Sequence, residues 1–528
     1  MPRFEKLHRM DEAVTRPLVT ALEKCSRPAV VCVVSGTVGL TWLVLLCVVK
    51  IRIMRMGALT SDIAYYENML YNTGYSFSKR SFDFLYTWYD LLTHGSPTYL
   101  TEHFSPTLAL LAPGYWLFPN PLYLTVMQPL LSTLAGWGLY RLSRRVLERN
   151  NAPPMLGLLP VFFQAAYLFN YSNISAITDT LYGFHQDSMI APLLVWTLVC
   201  VFEERWRIAL MLFVLFLGVK ENLPIITAPG LGLCFIFNRI VPRKKAALGL
   251  LLCAGFFACC YYFEFRTHNR HVSIIHRFFD LDYVMDAMIR RVKWTIIYPL
   301  WPALLTPFFA LPALTDWALQ LVGDTMELDW HSYPVLMFTQ IAFAYTCITA
   351  FSLTKRWRVL SLAGYAALVG LVTAPMVAQG CKAYVAIHRG AFSLPLLVDV
   401  EAAKALAATV PKQARLSVTS ELEIFLAERR RLLWPESGPY AEYVLINRRK
   451  EEVNKAQAAE FMRGYPDGDP AGVHFYGDLH ILLSGYGYDT ALMGYIDKLV
   501  ASGDATLLKT QGKLELYRIH APLSFSLH

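Results

Sequence analysis

Charged residues are scarce in this chain of 528 residues, where Asp, Glu, Lys and Arg make up 17% and hydrophobic residues 55%. A soluble domain usually carries about 25% charged residues, so a soluble globular protein is not indicated. No CxxC pair and no Cys/His pattern with zinc spacing occurs, and no cysteine follows Cys381. These absences argue against a disulfide framework and against a structural zinc site.

Long hydrophobic runs are what the sequence has in abundance. Several approach the roughly 20 residues that a helix needs to cross a bilayer, so we predict a mainly α, polytopic transmembrane helical bundle with about 11 spans. The first span is Ala29 to Val49. The net charge of +8 is explained by Lys and Arg in cytoplasmic loops, so no nucleic-acid partner is expected.

Changes in composition predict three regions. Residues 1–28 form a cytoplasmic amphipathic N-terminus, and residues 29–379 form the transmembrane domain, whose large first external loop is 57–121. Residues 380–528 read as a small extracytoplasmic α/β domain, in which Ser420 and Glu423 predict a capping box. The positive-inside rule then predicts a multi-pass protein of the bacterial inner membrane, with its N-terminus in the cytoplasm.

One group of charges conflicts with that orientation. Lys50, Arg52 and Arg55 follow the first span on its predicted outer side. We interpret them as snorkelling side chains, or as side chains that face the phosphates of lipids or of a lipid-linked substrate.

The stretch from Thr60 to Phe104 is too polar to cross a bilayer, yet it is rich in aromatic residues. Asp62 at its start could act as a general base toward a hydroxyl. A residue in the Thr60-Ser61-Asp62 run could equally cap a helix that begins near Ile63. We expect three aromatic side chains of this loop to stack on sugar rings or a prenyl chain: Tyr65, Tyr66 and Trp88.

Further polar residues lie where predicted loops meet the membrane. We predict that six of them bind substrate or phosphate: Glu102, His103, His185, Lys220, Glu221 and His331. Ionisable groups at membrane depth are costly and usually line a cavity or find a partner. Lys220 therefore suits a phosphate, but an internal Lys–Glu pair or a snorkelling Lys220 explains it equally well.

Several motifs resemble a family of predicted bacterial and archaeal membrane proteins, the domain of unknown function 2079, which is grouped with the GT-C glycosyltransferases. The matching pieces are Ser61-Asp62-Ile63, Glu102-His103-Phe104-Ser105-Pro106, Phe184-His185-Gln186-Asp187 and Val219-Lys220-Glu221. Family members more often carry Pro-Glu where this chain has Gln186-Asp187. This chain therefore retains a carboxylate there, but the carboxylate has a different position. Asp187 is the one candidate metal ligand.

The resemblance implies a GT-C architecture with a catalytic Asp, here Asp62, in the first external loop. It also implies a polyprenyl-phosphate-linked sugar donor, membrane lipid contacts, and an acceptor glycan, lipid or protein. No cofactor is required by a ligand set in the sequence, although a divalent metal is compatible with it. Two alternatives stay open: a transporter or flippase of lipid-linked substrates, and a non-catalytic membrane assembly protein.

Overall fold

The structure is a computed structural model. It describes residues 20–21, 23–56, 62–79, 84–87, 98–178, 183–265, 282, 306–323, 333–353, 358–393, 396, 398–452, 486–520 and 522. The chain divides into two compact units. The helical unit comprises residues 1–45, 130–176 and 186–383, and the mixed unit comprises residues 46–129, 177–185 and 384–528.

The fold is mostly helical, as the sequence predicts. The helices up to residue 265 are α1 Pro28–Arg55, α2 Asp62–Lys79, α3 Ala112–Leu117, α4 Leu122–Arg149, α5 Leu159–Leu168, α6 Tyr171–Thr178, α7 Ile190–Phe202, α8 Trp206–Leu217, α9 Leu223–Phe237 and α10 Arg243–Cys260. The later helices are α11 Pro307–Gly323, α12 Tyr333–Leu353, α13 Arg358–Ser393, α14 Val400–Ala408, α15 Ser420–Leu426 and α16 Tyr486–Ser502. The strands are β1 Leu416–Val418, β2 Leu432–Leu433, β3 Tyr443–Asn447, β4 Ala505–Gln511 and β5 Leu514–Ile519.

Apolar helices account for the membrane character of the protein. Among the described residues, three are long and apolar enough to cross a membrane: Pro28–Arg55, Arg243–Phe263 and Tyr333–Ala350. Four shorter apolar helices accompany them: Leu156–Leu168, Gln186–Phe202, Trp206–Leu217 and Leu223–Phe237. The finer count of about 11 spans stays a prediction.

The helical unit is built from neighbouring helices that pack in pairs. α7 packs on α8, α9 on both α10 and α11, and α11 on α12. α9 and α11 approach closely because Gly230 lacks a side chain, and a Cβ there would lie 2.6 Å from the Phe308 carbonyl oxygen. The sequence predicts a break between Ala310 and Leu311, but α11 continues through Pro312.

The mixed unit contains a five-stranded sheet in the order β2-β1-β3-β5-β4. β1 pairs in parallel with β2 and β3, whereas β5 pairs antiparallel with β3 and β4. All three residues of β1 are buried, as is usual for parallel strands covered on both faces. The run Thr510-Gln511-Gly512 predicts a terminal hairpin, and the pairing of β4 with β5 confirms it. Gly512 in its turn has a φ of 61°.

A buried polar cluster replaces the predicted capping box. Thr419 is the N-cap residue of α15 and makes no side-chain cap bond. The Ser420 hydroxyl instead donates to Asp489 Oδ2 at 2.7 Å and accepts from Lys450 Nζ at 2.7 Å. Lys450 also lies 3.4 Å from a carboxylate oxygen of Glu421. The capping-box prediction was wrong because a long-range Asp and Lys compete for the hydroxyl.

Candidate functional site

Three tyrosines form a cluster at the start of α2 in the mixed unit. The Tyr66 and Tyr99 hydroxyl oxygens lie 3.0 Å apart, and their rings meet edge to face at 5.9 Å. The Tyr65 ring contacts the Tyr99 ring at 5.5 Å and the Trp434 ring at 5.8 Å, both edge to face. Each such ring pair contributes about 0.5–1.5 kcal/mol beyond its buried area, so the cluster is a rigid support.

Two imidazoles predicted to bind substrate lie against this cluster. The ring of His185 is 5.7 Å from the ring of Tyr66, and the ring of His103 is 5.6 Å from that of Tyr99. His185 is buried, whereas His103 is half-buried. The structure therefore brings together two histidines that are 82 positions apart in the sequence.

Asp62 is the first residue of α2 and is half-buried. It acts electrostatically on Tyr99, whose pKa is raised well above its usual value by burial, by Tyr66 and Tyr65, and by Asp62. A carboxylate in the first helical turn is also favoured by the helix dipole. This position is compatible with both interpretations of Asp62, as a general base and as a residue that caps α2.

The 3-10 turn Tyr99–Thr101 carries the next candidate. Glu102 caps this turn through its backbone N–H, which donates to the Tyr99 carbonyl at 3.0 Å, and its side chain is half-buried. Two other predicted residues, Trp88 and His331, lie outside the described residues.

The C-terminal region of the same unit braces α2 from another side. Asn68 Nδ2 donates to the carbonyl oxygens of Ala427 and Arg429, at 2.8 and 2.7 Å. Sequence reasoning missed this contact and the ring of Trp434 on Tyr65. No periodicity in the sequence around Asn68 indicates a contact with residues more than 350 positions away.

Glu67 is a second acidic residue of α2 that sequence reasoning missed. It is fully buried, and neither carboxyl oxygen has a hydrogen-bond partner among the residues that the structure describes. Burial raises the pKa of Glu67 well above its usual value, Glu428 adds to this effect and Lys404 opposes it. Burial therefore favours the neutral form of the Glu67 carboxyl over its charged form.

The cations at the end of α1 have partners inside the mixed unit. Lys50 is fully buried and donates from Nζ to the side-chain carbonyl of Gln128. Arg52 Nε donates to the Ala391 carbonyl at 3.0 Å, and its guanidinium lies 5.7 Å from the centre of the Phe392 ring. Snorkelling is thus wrong for Lys50, because Gln128 and the surrounding burial hold its ammonium inside the protein.

The helical unit holds the other predicted charges. Lys220 Nζ donates to Asp187 Oδ2 at 2.7 Å, and the two side chains are 8% and 1% exposed. Glu221 is buried next to Lys220 and acts on it electrostatically. The sequence left open an internal pair with a glutamate. The hydrogen-bonded partner is instead Asp187, on the turn before α7.

Asp316 also belongs to this charged group, although the sequence analysis did not identify it. It is fully buried in α11 and acts electrostatically on both Lys220 and Asp187. Its Oδ2 accepts from Gln320 Nε2 at 2.8 Å and from the Val335 N–H at 3.0 Å. An ionisable residue inside the apolar stretch Leu311 to Val322 was the signal that could have found it.

This charged group is not arranged as a metal site. Within the described part of the chain, no set of three His, Cys, Asp or Glu side chains converges as metal ligands do. One carboxylate oxygen of Asp187, Oδ2, accepts a hydrogen bond from the Lys220 ammonium. Asp187 as a metal ligand stays a prediction.

The two units thus offer two kinds of site. The mixed unit has a carboxylate, two imidazoles and a rigid aromatic wall, which suit proton transfer beside a sugar or a phosphate. In the helical unit, Lys220 lies among three buried carboxylates, those of Asp187, Glu221 and Asp316. This arrangement suits an ion pair or an ion path inside the membrane.

Apolar helices and buried ionisable groups together define a membrane protein. More specifically, residues 52–266 match the model of the family described as "Predicted membrane protein (DUF2079)". The match confirms the resemblance of the motifs to this family, and all four motifs lie inside it. No curated protein matches the chain.

Proposed function

We propose that the protein is a GT-C-type membrane glycosyltransferase. It transfers a sugar from a polyprenyl-phosphate donor to an acceptor on the outer face of the bacterial inner membrane. The observation that carries the proposal is the group in the mixed unit: Asp62 at the head of α2, the tyrosines at positions 65 and 66, and the imidazoles of His103 and His185. The motifs that contain these residues fall within the family match.

Asp62 acts as the general base. Its carboxylate takes the proton of an acceptor hydroxyl, whose oxygen forms the new bond to the anomeric carbon. The bond from that carbon to the phosphate oxygen breaks, and the lipid phosphate leaves with the electron pair. A single displacement inverts the anomeric centre.

The imidazoles are the groups best placed to stabilise the leaving phosphate. His103 and His185 contact the tyrosine cluster that also feels the charge of Asp62. Charge-assisted hydrogen bonds from such donors strengthen as charge develops on the phosphate. Lys220 and Asp187 form an ion pair of the helical unit, and the expectation from the sequence that Lys220 binds the phosphate stays a prediction.

The tyrosines have a positioning role first. Tyr65, Tyr66 and Tyr99 are 7%, 1% and 2% exposed, so they form the wall that orients Asp62 and the imidazoles. Stacking of Tyr65 or Tyr66 on a sugar ring requires this cluster to open.

The test is transfer of a labelled sugar from a polyprenyl-phosphate donor by the Asp62→Asn variant. We expect a rate about a hundredfold to ten-thousandfold lower, which is the usual contribution of a general base. The change should cost only about 0.3–1 kcal/mol of stability through the helix dipole. Glu401→Gln, an exposed carboxylate of α14, is the matched control. Wild-type turnover in Asp62→Asn removes Asp62 from the mechanism.

A transporter of lipid-linked substrates is the second candidate function. The buried group Asp187, Lys220, Glu221 and Asp316 supports it, because charges inside helical membrane units commonly mark substrate or ion paths. Flux of a fluorescent lipid-linked sugar across proteoliposomes distinguishes the two. Transport that Asp316→Asn abolishes and Asp62→Asn preserves would favour the transporter.

A further inference from the structure

An apolar cavity of about 300 Å³ lies within the helical unit. Its walls come from α7 to α12 and include Leu194, Phe213, Leu231, Leu248 and Phe338. The volume falls at the lower end of the range of about 300–1,000 Å³ that is typical of small-molecule sites. A lining of this kind suits a hydrocarbon chain.

A second cavity of about 700 Å³ adjoins the first, since Ile240 and Phe308 line both. This one is more polar, and its lining includes Arg149, Arg239 and Thr346. The first cavity also has Arg207 and Lys245 in its lining. The pair of cavities therefore combines apolar walls with cationic side chains, which are the two features that an anionic amphiphile requires.

Positive charge is in excess around the polar cavity. Among the described residues, neither Arg149 nor Arg239 has an ion-pair partner, although the Arg149 guanidinium lies 5.5 Å from the centre of the Phe202 ring. Glu203, whose side chain is 5% exposed, already serves three arginines: Arg141, Arg145 and Arg205. An anion in the cavity would therefore find two guanidinium groups that have no carboxylate partner within the described part of the chain.

The backbone around Arg239 is held in an unusual conformation. Asn238 and Ile240 have φ values of 51° and 65°, in the left-handed region that a β-branched residue rarely adopts. Asn238 Oδ1 accepts from the Arg243 N–H at 2.8 Å, which fixes the turn at the start of α10. Strain of this kind is often found where a loop positions a ligand-binding group.

We propose that the helical unit binds one anionic phospholipid in these two cavities. The phosphate lies between Arg149 and Arg239, and one acyl chain occupies the apolar cavity beside Leu248. Basic pockets between transmembrane helices are known to take anionic head groups, and the Arg- and Lys-rich end of a membrane protein normally faces the cytoplasm. These residues take no part in the proposed sugar transfer.

The test uses the full chain in phosphatidylcholine nanodiscs with and without phosphatidylglycerol, with retained lipid measured by native mass spectrometry. We expect the Arg149→Gln/Arg239→Gln variant to bind phosphatidylglycerol about thirtyfold more weakly, at about 1 kcal/mol for each cation. Lys244→Gln removes an exposed charge outside both cavities and should bind as the wild type does.

Two further arms separate a lipid from a soluble phosphate and guard against misfolding. Leu248→Trp fills the apolar cavity and leaves both arginines in place, so it should also weaken retention of phosphatidylglycerol. Glycerol 3-phosphate, which has the head-group phosphate without chains, should fail to displace the lipid. Equal retention by the double Arg variant and Lys244→Gln, unchanged retention in Leu248→Trp, or full displacement by glycerol 3-phosphate would each overturn the proposal.

Discussion

Replacing Lys220 by Met should strongly destabilise the protein. Lys220 and Asp187 are almost completely buried, and their hydrogen bond is 2.7 Å long. Removal of one partner of a buried pair typically costs about 3–5 kcal/mol, because the other charge is left without compensation. Here Asp187 would remain beside two further buried carboxyls, those of Glu221 and Asp316, so the upper part of this range is expected.

Thermal unfolding of the purified protein in detergent measures this loss, with Lys244→Met as a control at an exposed lysine. The double variant Asp187→Leu/Lys220→Met should recover most of it, because replacement of a buried pair by apolar groups is often neutral or stabilising. A loss below about 1 kcal/mol in Lys220→Met, the level of an exposed pair, would refute the buried ion pair.

The double variant also separates stability from activity. If it folds and no longer transfers sugar, the charge of Lys220 serves the reaction as well as the fold. If it folds and transfers sugar at the wild-type rate, the pair is structural only.

Three further changes test the mixed unit. Lys450→Met should lower the stability of the sheet by about 3–5 kcal/mol, seen as faster hydrogen exchange in β1 and β3, whereas the exposed Lys498→Met should not. Glu67→Gln should remove a pH dependence: a raised carboxyl pKa makes the wild type lose stability as pH rises above about 4.3, by up to about 1.4 kcal/mol per pH unit. The variant should gain stability relative to the wild type as pH rises above about 4.3, measured by thermal unfolding, and parallel stability curves would contradict a raised pKa of Glu67. Asn68→Ala should cost about 1–3 kcal/mol, because it leaves the Ala427 and Arg429 carbonyls without their donor, and increased proteolysis near Arg429 would report it.

Local patterns predicted much of the fold correctly. The apolar runs gave helices, the alternation near the C-terminus gave the β4–β5 hairpin, and a short buried run gave β1. Asp62, His103 and His185 of the candidate group could be named from the sequence because they belong to compact motifs, and their roles stay predictions. These features depend on residues that are close together in the sequence, so one sequence is enough to predict them.

What was missed depends on partners far along the chain. Asp316 was interpreted as part of an apolar span because no sequence period indicates that the charge of Lys220 acts on it. Ser420 was interpreted as half of a capping box because no sequence period indicates its hydrogen bond to Asp489. The change in composition at Gly380 did not predict where α13 ends. The helix continues to Ser393, because backbone hydrogen bonding does not depend on how polar the side chains are.

The bonds from Asn68 to the carbonyls of residues 427 and 429 have a consequence for biosynthesis. The ribosome releases α2 early, but the segment that clasps it emerges more than 350 residues later. Until then the amide of Asn68 lacks its native acceptors, and Tyr65 lacks the indole of Trp434. The carboxylate at the head of α2 therefore reaches its mature surroundings only near the end of translation, so a ribosome that stalls before codon 434 yields an inserted but incomplete protein.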